Sequence, residues 1–265
     1  MSERRTGLIT GASSGFGVEF ARLFARDGFD VVLVARSGPP MQALAEELQA
    51  AHGITATVIA KDLAPAGAGD ELVADLTERG IRVDALVNNA GFAQYGPFAD
   101  ADPGVLGKMV SVNVVALTDL TRGLLPGMVE RRWGRIVNLG SVGSFAPAPM
   151  TAAYAATKAY VLSLSLALSE ELKGTGVTVT ALCPGPTATG FQARAEMADS
   201  RLIAGRELDP AEKVVRAGYA AMTKGRPFLV TGTTSRMFAF GSRFLPRMAS
   251  ARIAGNSQRR IAGSS

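Results

Sequence analysis

Short apolar runs alternate along the chain with longer segments whose apolar residues recur at helical spacing. The short runs are rich in Val, Ile and Leu without polar alternation, which is typical of strands covered on both faces of a sheet. They are Thr6–Thr10, Asp30–Ala35, Ala56–Ala60, Ala85–Asn88, Arg135–Leu139, Val177–Cys183 and Phe228–Thr231. The longer segments predict helices over Gly15–Asp27, Pro40–Ala51, Gly67–Arg79, Pro103–Arg131, Ala152–Lys173 and Pro210–Thr223. Strict alternation of strand and helix predicts a single doubly wound α/β domain, with a mainly parallel seven-stranded sheet and helices on both faces.

The composition of the chain excludes several classes of protein. Its 265 residues are 47% hydrophobic and 19% charged, which suits a substantial core and excludes a disordered chain. A single Cys and a single His exclude an internal disulfide and a structural zinc site, and we expect no metal. No long apolar leader follows Met1, so we expect a cytoplasmic protein.

A glycine-rich loop follows the first predicted strand and opens the first predicted helix. Glycines at this point permit a tight turn, let backbone N–H groups approach a pyrophosphate, and allow the helix to pack closely on the sheet. The positive end of the helix dipole also favours an anion there. The pattern therefore predicts a Rossmann-like dinucleotide site formed by Gly11, Ser13, Ser14, Gly15, Phe16 and Gly17.

The end of the second strand bears on the choice of cofactor. A carboxylate at this point would accept hydrogen bonds from the ribose hydroxyls of NAD(H). The strand instead ends in Ala35, Arg36 and Ser37, and a guanidinium can pair bidentately with a 2′-phosphate. Arg36 therefore favours NADP(H). In the alternative, Arg36 packs over the adenine and leaves the choice of cofactor open.

Candidate proton-transfer chemistry lies further along the chain. Tyr154 and Lys158 are four residues apart, so both lie on one face of a predicted helix. A cation beside a phenol lowers its pKa from about 10, and such a Tyr can exchange a proton with a carbonyl or alcohol oxygen. Ser141 follows a predicted strand, where its hydroxyl could hold a substrate oxygen. Asn113 interrupts an apolar helical run, and Asn88–Gly91 closes another strand with polar residues.

These motifs, together with Pro184-Gly185, resemble in order and spacing the short-chain dehydrogenase/reductases, in their compact rather than extended branch. The resemblance runs from residue 6 to about 231. It implies an oxidoreductase that transfers a hydride between nicotinamide C4 and a carbonyl or alcohol carbon. It also implies a substrate lid over about residues 187–208, within a family domain that spans residues 1–232.

The resemblance assigns roles to individual residues. It implies that Tyr154 is the general acid/base, that Ser141 donates to the substrate oxygen, and that Lys158 lowers the Tyr154 pKa and binds the nicotinamide ribose. Asn113 would hold a water that relays protons from Lys158. The further cofactor contacts that it implies are Asp62, Leu63, Asn89, Ala90, Gly91, Pro184, Gly185, Thr187 and Thr189.

The substrate side of the predicted site is apolar. Val142–Met150 and Ala188–Phe191 would lie over the substrate and contain no charged residue, which predicts a small apolar ketone, ketoacyl compound or alcohol. The resemblance also implies a homodimer or homotetramer formed through helices 103–131 and 152–173. A catalytically idle NADP(H)-binding sensor and a membrane-docked interaction protein are the alternatives.

A basic extension, residues 233–265, follows the family domain. Residues 224–265 contain eight Lys and Arg and no Asp or Glu, whereas the rest of the chain has 20 basic and 23 acidic residues. Met237, Phe240, Phe244 and Met248 can share one helix face, which Pro246 would interrupt. Packing on its own domain, on a partner subunit and on an anionic membrane all stay open. We expect no nucleic acid, since the basic residues do not spread over a recognition face.

Overall fold

A computed structural model describes residues 4–197, 199–205 and 207–260. Residues 1–3 of the predicted family domain, residues 198 and 206 of the predicted lid, and residues 261–265 of the predicted extension lie outside the described residues.

Seven of the nine strands in the described residues form one sheet, in which every neighbouring pair is parallel. The nine strands are β1 Thr6–Thr10, β2 Asp30–Ala35, β3 Ala56–Ala60, β4 Ala85–Asn88, β5 Gly134–Leu139, β6 Val177–Cys183, β7 Thr187–Ala188, β8 Asp209–Pro210 and β9 Phe228–Val230. The order in the sheet is β3-β2-β1-β4-β5-β6-β9, and β7 pairs separately with β8. The doubly wound α/β prediction is confirmed, because the chain turns back across the sheet between β1 and β4.

Helices cover both faces of this sheet. They are α1 Phe16–Arg26, α2 Gly38–His52, α3 Ala68–Glu78, α4 Pro103–Val110, α5 Leu117–Glu130, α6 Ala152–Glu171, α7 Phe191–Arg194, α8 Ala211–Thr223, α9 Thr233–Gly241 and α10 Arg247–Gln258. One core cluster joins the sheet to α1, α2 and α8 around Phe24 and Met41. The other joins it to α3 and α5 around Leu72 and Leu120. Residues of the central strands are buried on both faces of the sheet, as the apolar composition of these strands predicted.

The helix predicted over Pro103–Arg131 is interrupted. A π-helical turn, Ser111–Ala116, joins α4 to α5. Such turns often mark functional sites, and this one contains Asn113, whose side chain is only 1% exposed. By length and composition alone the whole run Pro103–Glu130 could cross a membrane. That observation is weak evidence, because Leu117 and Leu120 are buried in the core of this fold.

The C-terminal extension forms two helices rather than one continuous amphipathic helix. Helix α9 ends at Gly241 and α10 begins at Arg247, directly after Pro246. The predicted interruption at Pro246 is confirmed. The inner side of this helical hairpin packs on the predicted family domain, where Phe238 and Ala254 contact Ala148 and Ala155.

Candidate active site

A cleft of about 1050 Å³ opens at the carboxyl ends of the parallel strands. This is the edge where open α/β sheets bind their ligands. All the predicted site residues except Gly17 and Asn113 line this cleft. The cleft has a glycine-rich end next to β1 and β2 and an apolar end beneath α9 and α10.

The glycine-rich loop forms a backbone cradle between β1 and α1. Gly11 and Gly15 have positive φ angles, 67° and 56°, which a side chain would strain. A Cβ on Gly17 would lie 2.3 Å from the Gly11 oxygen, so only glycine lets the helix approach the strand this closely. Gly17 therefore serves the packing of α1 on β1 and does not line the cleft, and its predicted contact with the cofactor stays a prediction. The first turn of α1 has no side-chain cap, which suits a pyrophosphate on its N–H groups.

Hydrogen bonds between the ends of β1 and β4 hold the cradle. The Thr10 hydroxyl donates to the Val87 oxygen at 3.2 Å and accepts from the backbone N–H groups of Asn89 and Ala90 at 3.0 Å. The Asn89 amide in turn donates to the backbone oxygens of Thr10 at 2.8 Å and Gly11 at 3.2 Å. The polar residues that follow β4 therefore brace the loop as well as line the cleft.

The rim of the cleft beyond β2 and β3 carries the predicted adenine-side residues. Arg36 is exposed at the end of β2 and lines the cleft together with Ser13 and Ser14. After β3, Asp62 accepts a hydrogen bond from the Ala64 N–H at 3.1 Å, which fixes its carboxylate at the rim. The buried side chain of Leu63 lines the cleft beside it.

Tyr154, Ser141 and Lys158 come together on one wall of the cleft. Helix α6 carries Tyr154 and Lys158 a turn apart, and the Lys158 Nζ lies 5.8 Å from the centre of the Tyr154 ring. Ser141 follows β5 and caps a short 3₁₀ turn, where its Oγ accepts from the Gly143 N–H at 3.1 Å. Lys158 as a whole is only 5% exposed, and its Nζ donates to the Leu139 backbone oxygen at 2.6 Å.

Burial shifts the pKa values of Tyr154 and Lys158 on this wall of the cleft. It raises the pKa of Tyr154 to about 12, although a hydrogen bond from the Ser141 hydroxyl partly opposes the rise. It lowers the pKa of Lys158 to about 8, because an ammonium loses hydration in this pocket. Lys158 is not among the groups that shift the Tyr154 pKa, so the predicted lowering of that pKa by Lys158 stays a prediction. Tyr154 holds its proton at neutral pH.

Asn113 lies behind the cleft wall. Its side-chain amide donates to the Phe92 oxygen at 3.0 Å and to the Thr157 hydroxyl at 3.1 Å, and its oxygen accepts from the Phe92 N–H at 3.2 Å. These bonds tie the loop after β4 to α6. They use both N–H donors of the amide and one acceptor position of its oxygen, and the predicted water-holding role stays a prediction.

The segment after β6 forms the floor between the two ends of the cleft. The Pro184 oxygen accepts from the Val142 N–H at 2.9 Å, and the Thr187 hydroxyl donates to the Gly185 oxygen at 2.9 Å. A Cβ on Gly15 would meet the Thr189 side chain at 3.2 Å. The start of the predicted lid therefore packs directly against the glycine-rich loop.

The apolar end of the cleft contains Phe191, which sequence analysis placed over the substrate, further residues of the predicted lid, and C-terminal residues that sequence analysis missed. The Phe191 ring lies 5.6 Å from the Tyr154 ring, centre to centre. The other members come from the predicted lid and the C-terminal hairpin: Met197, Leu202, Ile203, Phe238, Ile253, Ala254 and Gln258. No local pattern marks them, because they meet only after distant segments fold together.

Comparison with known proteins identifies the family. A model of the short chain dehydrogenase family matches residues 5–199, more than half of the chain. The chain belongs to this family. Its motifs from the glycine-rich loop to Tyr154 and Lys158 all lie within the matched region, so the resemblance that they predicted is confirmed.

Three similar proteins illustrate the relationship. The chain is 35% identical over 174 residues to the very-long-chain 3-oxoacyl-CoA reductase of Aspergillus clavatus, covering 65% of this chain and 50% of that protein. It thus spans about half the length of that relative. A short-chain dehydrogenase from Sphingobium yanoikuyae, solved in complex with NADPH, is 32% identical with a TM-score of 0.80, and the match covers 98% of both chains. A bulky-bulky ketone specific alcohol dehydrogenase from Comamonas testosteroni is 30% identical with a TM-score of 0.77, and the match covers 98% of this chain and 97% of that one.

Proposed function

We propose that this family member is an NADP(H)-dependent oxidoreductase that reduces an apolar ketone or ketoacyl compound to a secondary alcohol. The observation that carries the proposal is the joint position of Tyr154, Ser141 and Lys158 on the wall of the cleft that the glycine cradle opens. The NADPH in the Sphingobium structure supports the choice of cofactor.

The residues at the glycine-rich end fit a dinucleotide phosphate. The cradle at Gly11 and Gly15 leaves room that a Cβ would fill, and the start of α1 offers N–H groups to a pyrophosphate. Arg36 is free on the rim to pair with a 2′-phosphate, and Lys158 would hold the nicotinamide ribose. When bound, NADPH supplies the hydride that reduces the carbonyl carbon.

In the reaction, side chains of the protein stabilise the carbonyl oxygen of the substrate and supply its proton. The Ser141 hydroxyl donates a hydrogen bond to the carbonyl oxygen and stabilises the negative charge that develops there. Tyr154 then transfers its phenolic proton to that oxygen, which becomes the alcohol hydroxyl. Its raised pKa keeps the phenol protonated at neutral pH, so the resting site is set for reduction. The Lys158 ammonium stabilises the phenolate that remains.

The side chains that line the apolar end of the cleft support the proposal of an apolar substrate. Phe191, Met197 and Ile203 face the space beside Tyr154, and Phe238 closes it from the C-terminal side. The names of the Aspergillus reductase and the Comamonas dehydrogenase, an acyl-CoA reductase and a bulky ketone enzyme, agree with such a substrate. We also propose a homo-oligomer through α4–α6, whose outer faces expose Val110, Val115 and Leu166.

A matched pair of tyrosine variants tests the proposal. We expect the purified protein to oxidise NADPH in the presence of bulky ketones or 3-oxoacyl thioesters, and Tyr154→Phe to lower kcat by about 100-fold or more. Tyr160→Phe is the control, because Tyr160 lies on the same helix, is 39% exposed, and bonds to Thr118 outside the cleft. NADPH binding without turnover on any substrate would favour the idle sensor, and failure to bind NADPH would refute the proposal.

A further inference from the structure

The outer face of the C-terminal hairpin carries a row of uncovered apolar side chains. We call this row the apolar apex. Its members are between 40% and 74% exposed: Met237, Phe240, Phe244, Leu245 and Met248. The Phe240 and Phe244 rings pack edge to face, with their centres 5.2 Å apart. The apex is therefore a patch rather than a set of scattered side chains, and such patches mark interaction sites.

Positive charge surrounds the apolar apex. Arg243 and Arg247 lie between its members in sequence, and Arg236 and Arg252 lie on the adjoining helices, all four exposed. No Asp or Glu occurs anywhere in residues 224–265 to balance them. The surface thus combines large apolar side chains with uncompensated guanidinium groups, which is the composition that binds anionic lipid interfaces.

The inner face of the same hairpin closes the cleft. Phe238 packs against Ala148 and Ala155 and lines the apolar end. Ile253 lines the cleft and is also 49% exposed, so it connects the cleft to the outer surface.

We propose that the apolar apex docks the protein peripherally on an anionic membrane. Its side chains enter the boundary between headgroups and acyl chains, while Arg243 and Arg247 meet lipid phosphates. A second copy of the chain is a poorer occupant, because a two-fold contact through the apex would bring the same arginines together. A nucleic acid would neutralise the arginines but would leave Met237, Leu245 and Met248 without an apolar partner.

Docking of this kind has a consequence for substrate entry. With the apex on the membrane, the cleft opening at Ile253 lies next to the lipid, so an apolar substrate can pass from the bilayer to Tyr154 without crossing water. This consequence rests on the proposed function, whereas the docking itself does not.

Co-sedimentation of the full chain with vesicles tests the docking. The two vesicle types are phosphatidylcholine alone and phosphatidylcholine mixed with phosphatidylglycerol. We expect binding to the anionic vesicles, weaker at high salt, and little binding to the neutral ones. The double variant Phe240→Ser/Phe244→Ser and the double variant Arg243→Glu/Arg247→Glu should each lower the partition coefficient by roughly tenfold or more.

Matched controls separate this surface from general effects. Phe98→Ser removes an aromatic side chain that is 65% exposed outside the hairpin, and Lys224→Glu/Arg226→Glu makes the same change in net charge before α9. Both controls should bind the anionic vesicles as the unchanged protein does. Equal loss in the controls, no loss in the apex variants, or no vesicle binding by the unchanged protein would overturn the docking. The docking would also be overturned if the unchanged protein bound no vesicles and Phe240→Ser/Phe244→Ser changed its oligomeric state, because the apex would then be a contact between subunits.

NADPH binding by each variant keeps this result apart from the proposed function. Apex variants that are folded should bind NADPH as the unchanged protein does, because no member of the apex lines the cleft. Vesicle binding with no ketone reduction would leave the docking standing and count against the oxidoreductase.

Discussion

The two ends of the cleft are built in different ways. The cofactor end is made largely of backbone: the positive φ angles of Gly11 and Gly15 shape it, and hydrogen bonds between Thr10 and Asn89 brace it. The substrate end is made of apolar side chains from remote parts of the chain, such as Phe191 and Ile203 of the predicted lid and Phe238 of α9. The difference follows from the ligands, since a pyrophosphate needs N–H groups in a strict geometry, whereas an apolar substrate needs only a dry, suitably shaped wall.

Because of this difference, we expect the two ends of the cleft to respond differently to side-chain substitutions. A Cβ added at Gly17 meets the backbone of Gly11 and Ala12, which cannot move without displacing α1, and the positive φ angles of Gly11 and Gly15 strain any side chain added there. A side chain changed in the apolar wall meets other side chains, which can repack. Variants should therefore affect folding and cofactor binding at the first end, and the choice of substrate at the second.

The largest effect is expected from Gly17→Ala. The new Cβ would lie 2.3 Å from the Gly11 oxygen and 2.8 Å from the Ala12 Cα, so α1 must shift away from β1. We expect NADPH affinity to fall by about 100-fold and the free energy of unfolding to fall by about 3 kcal/mol. Calorimetric titration and urea unfolding measure the two effects.

Gly107→Ala is the control for this variant. Gly107 lies inside α4, and no atom lies within 4 Å of the position that its Cβ would take. Alanine there should leave NADPH affinity unchanged and stabilise the protein by up to about 1 kcal/mol. Normal NADPH binding by Gly17→Ala would contradict the account of a cradle made of backbone.

Lys158→Met should lower activity while it stabilises the fold. Burial lowers the pKa of Lys158 to about 8, so at neutral pH the folded protein bears the cost of a buried ammonium. That cost declines as pH rises from about 8 towards 10.5, the ordinary pKa of the side chain, and stability rises over this window. We expect Lys158→Met to raise the free energy of unfolding at neutral pH by about 1–3 kcal/mol and to lower ketone reduction by about 100-fold.

Thermal unfolding at neutral pH and near pH 10 separates the charge from other effects of this variant. The stabilisation should shrink at the higher pH, where the folded protein holds a neutral lysine in any case. A stabilisation of equal size at both pH values would mean that the buried charge is not its cause.

Arg36→Ala tests the selectivity of the cofactor end. If the guanidinium pairs with a 2′-phosphate, NADPH should bind about tenfold more weakly and NADH should bind as before. Arg26→Ala is the control, because Arg26 is exposed at the end of α1 and pairs with Asp27. An equal loss for both cofactors would indicate that Arg36 packs on the adenine.

The smallest effect is expected where the C-terminal end of the described chain meets the predicted lid. Arg260 pairs with Asp199 at 3.1 Å, and the backbone N–H of Arg201 donates to the Arg259 oxygen at 2.9 Å. The Tyr95 hydroxyl also donates to the Gln258 backbone oxygen. Because Arg260 is exposed and Asp199 is only partly buried, Arg260→Gln should cost less than about 1 kcal/mol in stability.

Steady-state kinetics give the functional outcome of Arg260→Gln. The KM of a bulky ketone should rise by about twofold to threefold with NADPH affinity unchanged, because a looser lid holds the substrate less tightly. Arg216→Gln, which breaks a similar exposed pair with Glu212 on α8, should change neither value. A change in NADPH affinity would show that the two ends of the cleft are not independent.

Much of the fold could be predicted because its signals are local. Strands β1 and β6 are short segments rich in apolar residues between polar turns, and their predicted bounds agree with the structure. The interruption of the helix at Asn113 could not be predicted, because it goes with bonds to Phe92 and Thr157 that the chain makes only after folding. The same applies to Gly17: the motif predicted a glycine there, and only the folded structure shows its close approach to Gly11.

The sequence by itself determined the order of strands and helices, the glycine-rich loop, and the spacing that sets Tyr154 and Lys158 on one helix face. Each of these depends on neighbouring residues and on the period of a helix or strand. The tertiary structure alone decided that burial raises the pKa of Tyr154 and lowers that of Lys158. It also decided that Phe238 faces the cleft while Phe240 faces outward. Hydration and exposure depend on what the rest of the chain brings to a side chain, and no local pattern records that.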